Sequence, residues 1–174
     1  MRKIYILRGI PGTGKTTWAY KKLELLMHKR PYEHIFLISR DGYRMREVNY
    51  SESEYQKSFK DEQWNNSIKK RFWEYAYNCF EKADVVILDT TMIGDVDLAD
   101  INAIMLKWIL IHRTQPEIRW KIFTKQYFST HNVPEEVMQK YKEMYEITKK
   151  RPLDLWDYWN DDEKKSYKTK VEYI

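Results

Sequence analysis

The chain has 174 residues, a formal net charge of +5 and 43% hydrophobic residues, with 7 Trp, 14 Tyr and 6 Phe. That length predicts a single domain with a substantial core, spanning residues 1–174, and only 5 Gly and 5 Pro argue against long disordered stretches. No apolar run approaches a membrane span, so no membrane partner is expected; the lone cysteine, Cys79, excludes an internal disulfide framework; and the four His with one Cys show no zinc spacing.

In chain order, residues 3–7 are β-branched and aromatic and read as a buried strand that begins too early for a signal peptide. With the single cysteine, this suits the cytoplasm. Next comes Gly9-Ile10-Pro11-Gly12-Thr13-Gly14-Lys15-Thr16-Thr17, which fits G-x-x-x-x-G-K-[ST] at every fixed position, and residues 17–27 behind it read as a helix. Strand, glycine-rich loop and helix together predict a phosphate-binding loop. The glycines permit a tight turn with no Cβ to hold a phosphate away. Backbone N–H groups then form an anion nest, and the helix adds its positive end. Lys15 can reach the β- and γ-phosphates, and the Thr16 hydroxyl can ligate Mg²⁺. ATP and Mg²⁺ are the expected donor and cofactor.

Residues 34–39 form a second strand ending in Arg40-Asp41-Gly42-Tyr43-Arg44, at the strand end where open α/β sheets bind ligands. Residues 45–60 lack a clear period and read as a loop with room for a short helix. From residue 62 to 82, Trp64, Ile68, Phe72, Tyr75, Ala76 and Cys79 recur at helical spacing. Lys69, Lys70 and Arg71 read as a solvated face of that helix. Residues 84–89 are an apolar strand ending in Asp89, followed by Thr90 and Thr91. A helix over 95–113 carries Leu98, Ile101, Met105, Trp108 and His112 on its inner stripe, with His112 packed or capping. A fourth strand spans 118–124. Residues 125–133 form a short lid-like segment, Pro134 opens a helix reaching about residue 150, and the aromatic tail, 151–174, packs back over the domain. The expected architecture is a three-layer α/β fold with a mostly parallel sheet.

Transfer of a γ-phosphoryl group needs charge neutralisation and an in-line acceptor. Lys15 and Mg²⁺ supply the first. Asp89 holds the metal with Thr16. Asp41 is then available as general base, and Arg44 suits a bidentate grip on an acceptor phosphate. Arg40-Asp41-x-Tyr43-Arg44 resembles the R-D-x-Y-R signature of bacteriophage-type polynucleotide 5′-kinases. The loop, the Asp89-Thr90-Thr91 turn and His131-Asn132-Val133-Pro134-Glu135-Glu136 fall where that family has its corresponding elements. The resemblance implies a P-loop kinase fold and ATP-dependent phosphorylation of a DNA or RNA 5′-hydroxyl. It implies Lys15, Asp41 and Arg44 in catalysis, Arg40, Asp41, Arg44 and Asp89 at the acceptor, and Thr16 and Asp89 at the metal.

Two departures stand out. The family carries arginines on its lid, whereas residues 125–132 contain none; Lys125 and His131 are the candidate cations there, with Arg119 a poorer one from within a strand. The chain also lacks the D-x-D-G-T motif of an attached phosphatase, so no 3′-phosphatase activity is expected. Two other readings are a kinase for another hydroxyl (a nucleoside, a nucleotide or a hydroxymethylated base) and a nucleotide-binding protein with little turnover.

Overall fold

A computed structural model describes residues 2–91, 95–112, 116–125, 133–148 and 169–174. Five strands, β1 (Lys3–Arg8), β2 (Ile35–Ser39), β3 (Val85–Asp89), β4 (Glu117–Ile122) and β5 (Thr169–Tyr173), form one sheet in the order β2-β3-β1-β4-β5. Every pairing is parallel. Among the described residues six helices accompany them: α1 (Lys15–Lys29), α2 (Arg40–Glu47), α3 (Glu52–Lys60), α4 (Glu62–Lys82), α5 (Asp95–His112) and α6 (Glu135–Thr148).

Alternation along each strand splits the core in two. Ile4, Ile6, Ile38, Val86, Leu88 and Trp120 join α4 and α5 on one side. Tyr5, Leu7, Val85 and Ile87 meet α1 on the other, through Ala19 and Leu26. The chain thus has the three-layer α/β fold expected for a P-loop protein, with a sheet that is wholly parallel. Phe80 packs edge-on to Trp108 at 5.3 Å, joining α4 to α5. Cys79 is a buried free thiol inside that cluster, the small core residue its spacing predicts. His112 lies in the last turn of α5 and packs edge-on to Trp108, away from the ligand cavity described below. Among the described residues no helix is long and apolar enough to cross a membrane.

Two stretches depart from the sequence expectation. Residues 45–60 are mostly helical, shared between the end of α2 and all of α3. Ser39 caps α2 by accepting from the Gly42 N–H, and Ser51 caps α3 by accepting from the Glu54 N–H. No apolar period betrays these helices because their buried residues are Arg40, Arg44, Tyr55 and Ser58. Much of their inner faces is polar because it borders a cavity, while Tyr43 packs on the core through Phe72. Residues 169–173, at the end of the tail, form strand β5 on the sheet edge, and the Ile174 N–H donates to the Ile122 carbonyl. Trp156, Tyr158 and Trp159 lie outside the described residues, as does His131.

Gly9 sits where β1 leaves the sheet beside the end of β4. A Cβ there would lie 2.8 Å from the Phe123 carbonyl oxygen and 3.0 Å from the Phe123 Cβ, at a φ of +155°. Backbone cannot yield as a flexible side-chain tip can. Gly9→Ala is expected to destabilise the fold by about 1–3 kcal/mol, read as a lower denaturant midpoint at unchanged slope.

Candidate functional site

The register of the sheet assembles the site. Leu7 of β1 and Ser39 of β2 both pair with Asp89 of β3. The phosphate loop, the start of α2 and the Asp89-Thr90-Thr91 turn therefore emerge level at the carboxyl edge. The Gly9 N–H donates to the Thr91 carbonyl at 3.1 Å and ties loop to turn. A cavity of about 480 Å³ opens there.

Gly14 occupies the N-cap of α1 at φ 86°, a left-handed conformation open to glycine, and offers no side-chain cap. The first N–H groups of α1 are left for a ligand, and no acidic residue occupies that first turn to compete. Lys15 Nζ donates to the Ile10 carbonyl at 2.8 Å, so the lysine is folded along its own loop. Thr13 Oγ1 donates to the same carbonyl at 2.9 Å. Pro11, Gly12 and Thr17 line the cavity beside them. Burial lowers the Lys15 pKa, opposed by the charges of Asp89 and Asp41. Thr16 Oγ1 donates to Asp89 Oδ2 at 2.7 Å. Burial raises the Asp89 pKa, opposed by bonds from Thr16 and Ser39 and by Lys15.

This donor set fits Mg²⁺. A hydroxyl and a carboxylate meet at the foot of the loop, both hard oxygen ligands, and the carboxylate is buried. The buried Thr90 and Thr91 hydroxyls have no hydrogen-bond partner among the described residues.

Asp41 belongs to the first turn of α2 rather than to the strand end, because Ser39 starts the helix at once. It is exposed to the cavity, and the Tyr55 hydroxyl donates to its Oδ1 at 3.3 Å. Burial and the Asp41 charge raise the pKa values of Tyr55 and Tyr141, keeping both phenols protonated beside the carboxylate.

The two arginines of the signature separate in role. Arg40 Nη2 lies 2.5 Å from Asp97 Oδ1 of α5, and its guanidinium covers the rings of Phe72 and Trp73. That charge is spent within the fold. Arg44 is 2% exposed, yet among the described residues it has no ion-pair partner. Its Nη1 donates to Ser58 Oγ at 2.9 Å, its Nη2 to Asn65 Oδ1 at 2.6 Å, and Phe59 lies 4.0 Å beneath. Neutral groups orient it, and burial lowers its pKa, opposed by Tyr141, Tyr55 and the charge of Asp41. Arg44 is therefore a buried, aimed cation bordering the cavity, not the surface ion pair an arginine on a short polar helix usually makes.

Three contributors escape a reading of the sequence. Ser39 caps α2 and bonds Asp89; a serine just ahead of a helix start is the signal that identifies it. Tyr55 has none, since its helix lacks a period. Lys69 of α4 lines the cavity instead of a solvated face, while Arg71 of the same run pairs outward with Glu47. Arg119 is excluded as a lid substitute: it pairs with Tyr5 in mid-sheet, and its guanidinium bonds Glu117. Lys125 is exposed just beyond β4.

The five-stranded parallel sheet with its flanking helices and the glycine-rich loop after β1 give the α/β fold of the P-loop kinase type. No protein-family model matches the sequence. Among solved structures, the chain is similar to one from the Pnkp1/Rnl/Hen1 RNA repair complex, with 18% identity over 87% of this chain and a TM-score of 0.57. It spans about half, 46%, of that neighbour's length. It is also similar to a chain from the PezAT chromosomal toxin-antitoxin system of Streptococcus pneumoniae, with 15% identity, 99% of this chain and 67% of the neighbour covered, and a TM-score of 0.52. At these identities the likeness is one of fold.

The two arginines predict opposite stability outcomes. Arg40→Met strands the Asp97 carboxylate and is expected to cost about 3 kcal/mol. Arg44→Met removes a buried charge without an ion pair among the described residues and is expected to change stability by less than about 1 kcal/mol. Chemical denaturation of both variants beside the parent protein measures the contrast.

Proposed function

We propose that the protein transfers the γ-phosphoryl group of ATP to the 5′-hydroxyl end of a DNA or RNA strand. The observation that carries this reading is the Arg44 cation, buried without an ion pair among the described residues, one helical turn from Asp41 on the same cavity as Lys15, Thr16 and Asp89. A cation kept in that state suits an acceptor that brings its own negative charge. A phosphate next to the terminal nucleoside would accept the guanidinium and aim the 5′-hydroxyl at Asp41. The fold likeness to a chain from an RNA repair complex agrees with a nucleic-acid acceptor.

In this reading the loop N–H groups and Lys15 hold the β- and γ-phosphates. Thr16 and Asp89 would hold Mg²⁺, which when bound neutralises phosphate charge. Asp41 takes the proton of the attacking hydroxyl. The hydroxyl oxygen bonds to the γ-phosphorus as its bond to the β-bridging oxygen breaks, and ADP leaves. The Tyr55 hydroxyl positions the Asp41 carboxylate.

One observation favours a second reading, a kinase for another hydroxyl. Residues 125–132 hold no arginine to press on the transferring group, so the acceptor side departs from the family it resembles. The deciding experiment offers ATP labelled at the γ-phosphate to a 5′-hydroxyl oligonucleotide, a nucleoside 3′-monophosphate, a free nucleoside and hydroxymethyl-base DNA. Label on the oligonucleotide end supports the proposal. Label on the base or nucleoside alone supports the second reading, and no label supports a nucleotide-binding protein.

Lys15→Ala is expected to weaken ATP binding and to lower transfer by roughly 10²-fold or more. Asp41→Asn is nearly isosteric and still accepts the Tyr55 bond, but cannot take a proton. It is expected to bind ATP with near-parental affinity and to lose at least about 10²-fold in single-turnover transfer. Lost ATP binding would instead assign Asp41 to the donor side.

A further inference from the structure

Lys69 is a further cation on the cavity, beside Lys15, Arg40 and Arg44, that transfer to a single nucleotide does not use. Asn65, which accepts from Arg44, and Lys69 are four residues apart on α4, so they share one face about 6 Å apart along the helix. The next residue on that face, Trp73, lies under Arg40. Arg44 and Lys69 are thus successive stations along one wall of the cavity. Asp41 shares α2 with Arg44, whereas Lys69 stands on α4 one turn past the residue that holds Arg44, toward the Arg40–Asp97 pair.

Asp97 and Asp100 lie near enough to act on the Lys69 charge, but neither is in ion-pair contact with it. Asp97, the first of the acids near it, is engaged by Arg40, and Lys69 forms no ion pair among the described residues. A half-buried ammonium on a ligand cavity, without a carboxylate in contact, is a site for an incoming anion.

We propose that Lys69 binds the second phosphate of the acceptor strand, one nucleotide beyond the phosphate held by Arg44. This rests on the reading of the protein as a polynucleotide 5′-hydroxyl kinase and adds to it a preference for strands over mononucleotides. A nucleoside or a nucleoside 3′-monophosphate ends at Arg44. A strand continues to Lys69, and the ammonium suits it because it is a flexible point charge that follows a backbone without demanding one geometry.

The test compares the parent protein, Lys69→Met and Lys69→Arg on two acceptors, adenosine 3′-monophosphate and the 3′-phosphorylated adenosine dinucleotide, in both ribose and deoxyribose series. The parent is expected to use the two-phosphate acceptor about tenfold better in kcat/KM. Lys69→Met is expected to erase that advantage by raising KM for the longer acceptor, with kcat, the ATP KM and the one-phosphate acceptor unchanged. Lys69→Arg restores it. The salt dependence of binding to the longer acceptor should flatten by about 0.7 in log–log slope, the release of one phosphate contact on a single strand. Equal losses on both acceptors, or none on either, overturn the assignment while leaving the kinase reading intact. No transfer to any acceptor by the parent protein overturns both.

Discussion

The 2.7 Å hydrogen bond from Thr16 to Asp89 holds only because two strands end level. Thr16 follows β1 through the loop, Asp89 ends β3, and the parallel register pairs Leu7 with Asp89. A shift of one residue would turn the carboxylate to the opposite face of the sheet, since side chains alternate. The same register sets Ser39 beside Asp89 and hence fixes where α2 begins. The apolar stretches that look like mere core, residues 4–7 and 85–88, are therefore what aligns the polar ends.

The site also divides charge into satisfied and unsatisfied groups. Arg40 and Asp97 close on each other and join α2 to α5. Lys15 rests on a backbone carbonyl, and Arg44 on a hydroxyl and an amide. Neutral oxygen partners orient a cation while leaving its field for a ligand. Buried charges without counter-ions oppose folding, so this stretch of the cavity wall is less stable than an apolar one of equal size would be. Such local cost is common where a site is organised in advance of its ligand.

Much of this arrangement is legible in the amino-acid sequence. The phosphate loop declares itself through glycine, lysine and threonine at fixed spacing, and α4 through its apolar period over residues 62–82. Asp89 follows from an apolar strand ending in an acid. Three features are not legible there, and for physical reasons. Helices α2 and α3 bury polar residues against a cavity, so they carry no apolar stripe to read. Strand β5 is an edge strand whose Val171 and Tyr173 remain exposed, so its sequence shows no buried face. The distinction between Arg40 and Arg44 depends on whether a carboxylate from a distant helix reaches each one, and local sequence does not encode that distance.

The strand order carries a consequence for how the chain must come together. β1, the first strand in sequence, lies at the centre of the sheet, between β3 and β4. Lys3 pairs with Val85 on one side and with Glu117 on the other. During synthesis at the usual pace, β1 would wait on the order of ten seconds for its first neighbour to emerge. Throughout that interval the Ile4-Tyr5-Ile6-Leu7 run, which is buried in the finished fold, stands open on both edges. This run is thus exposed to mispairing until β3 follows, and its correct pairing depends on slow, long-range closure.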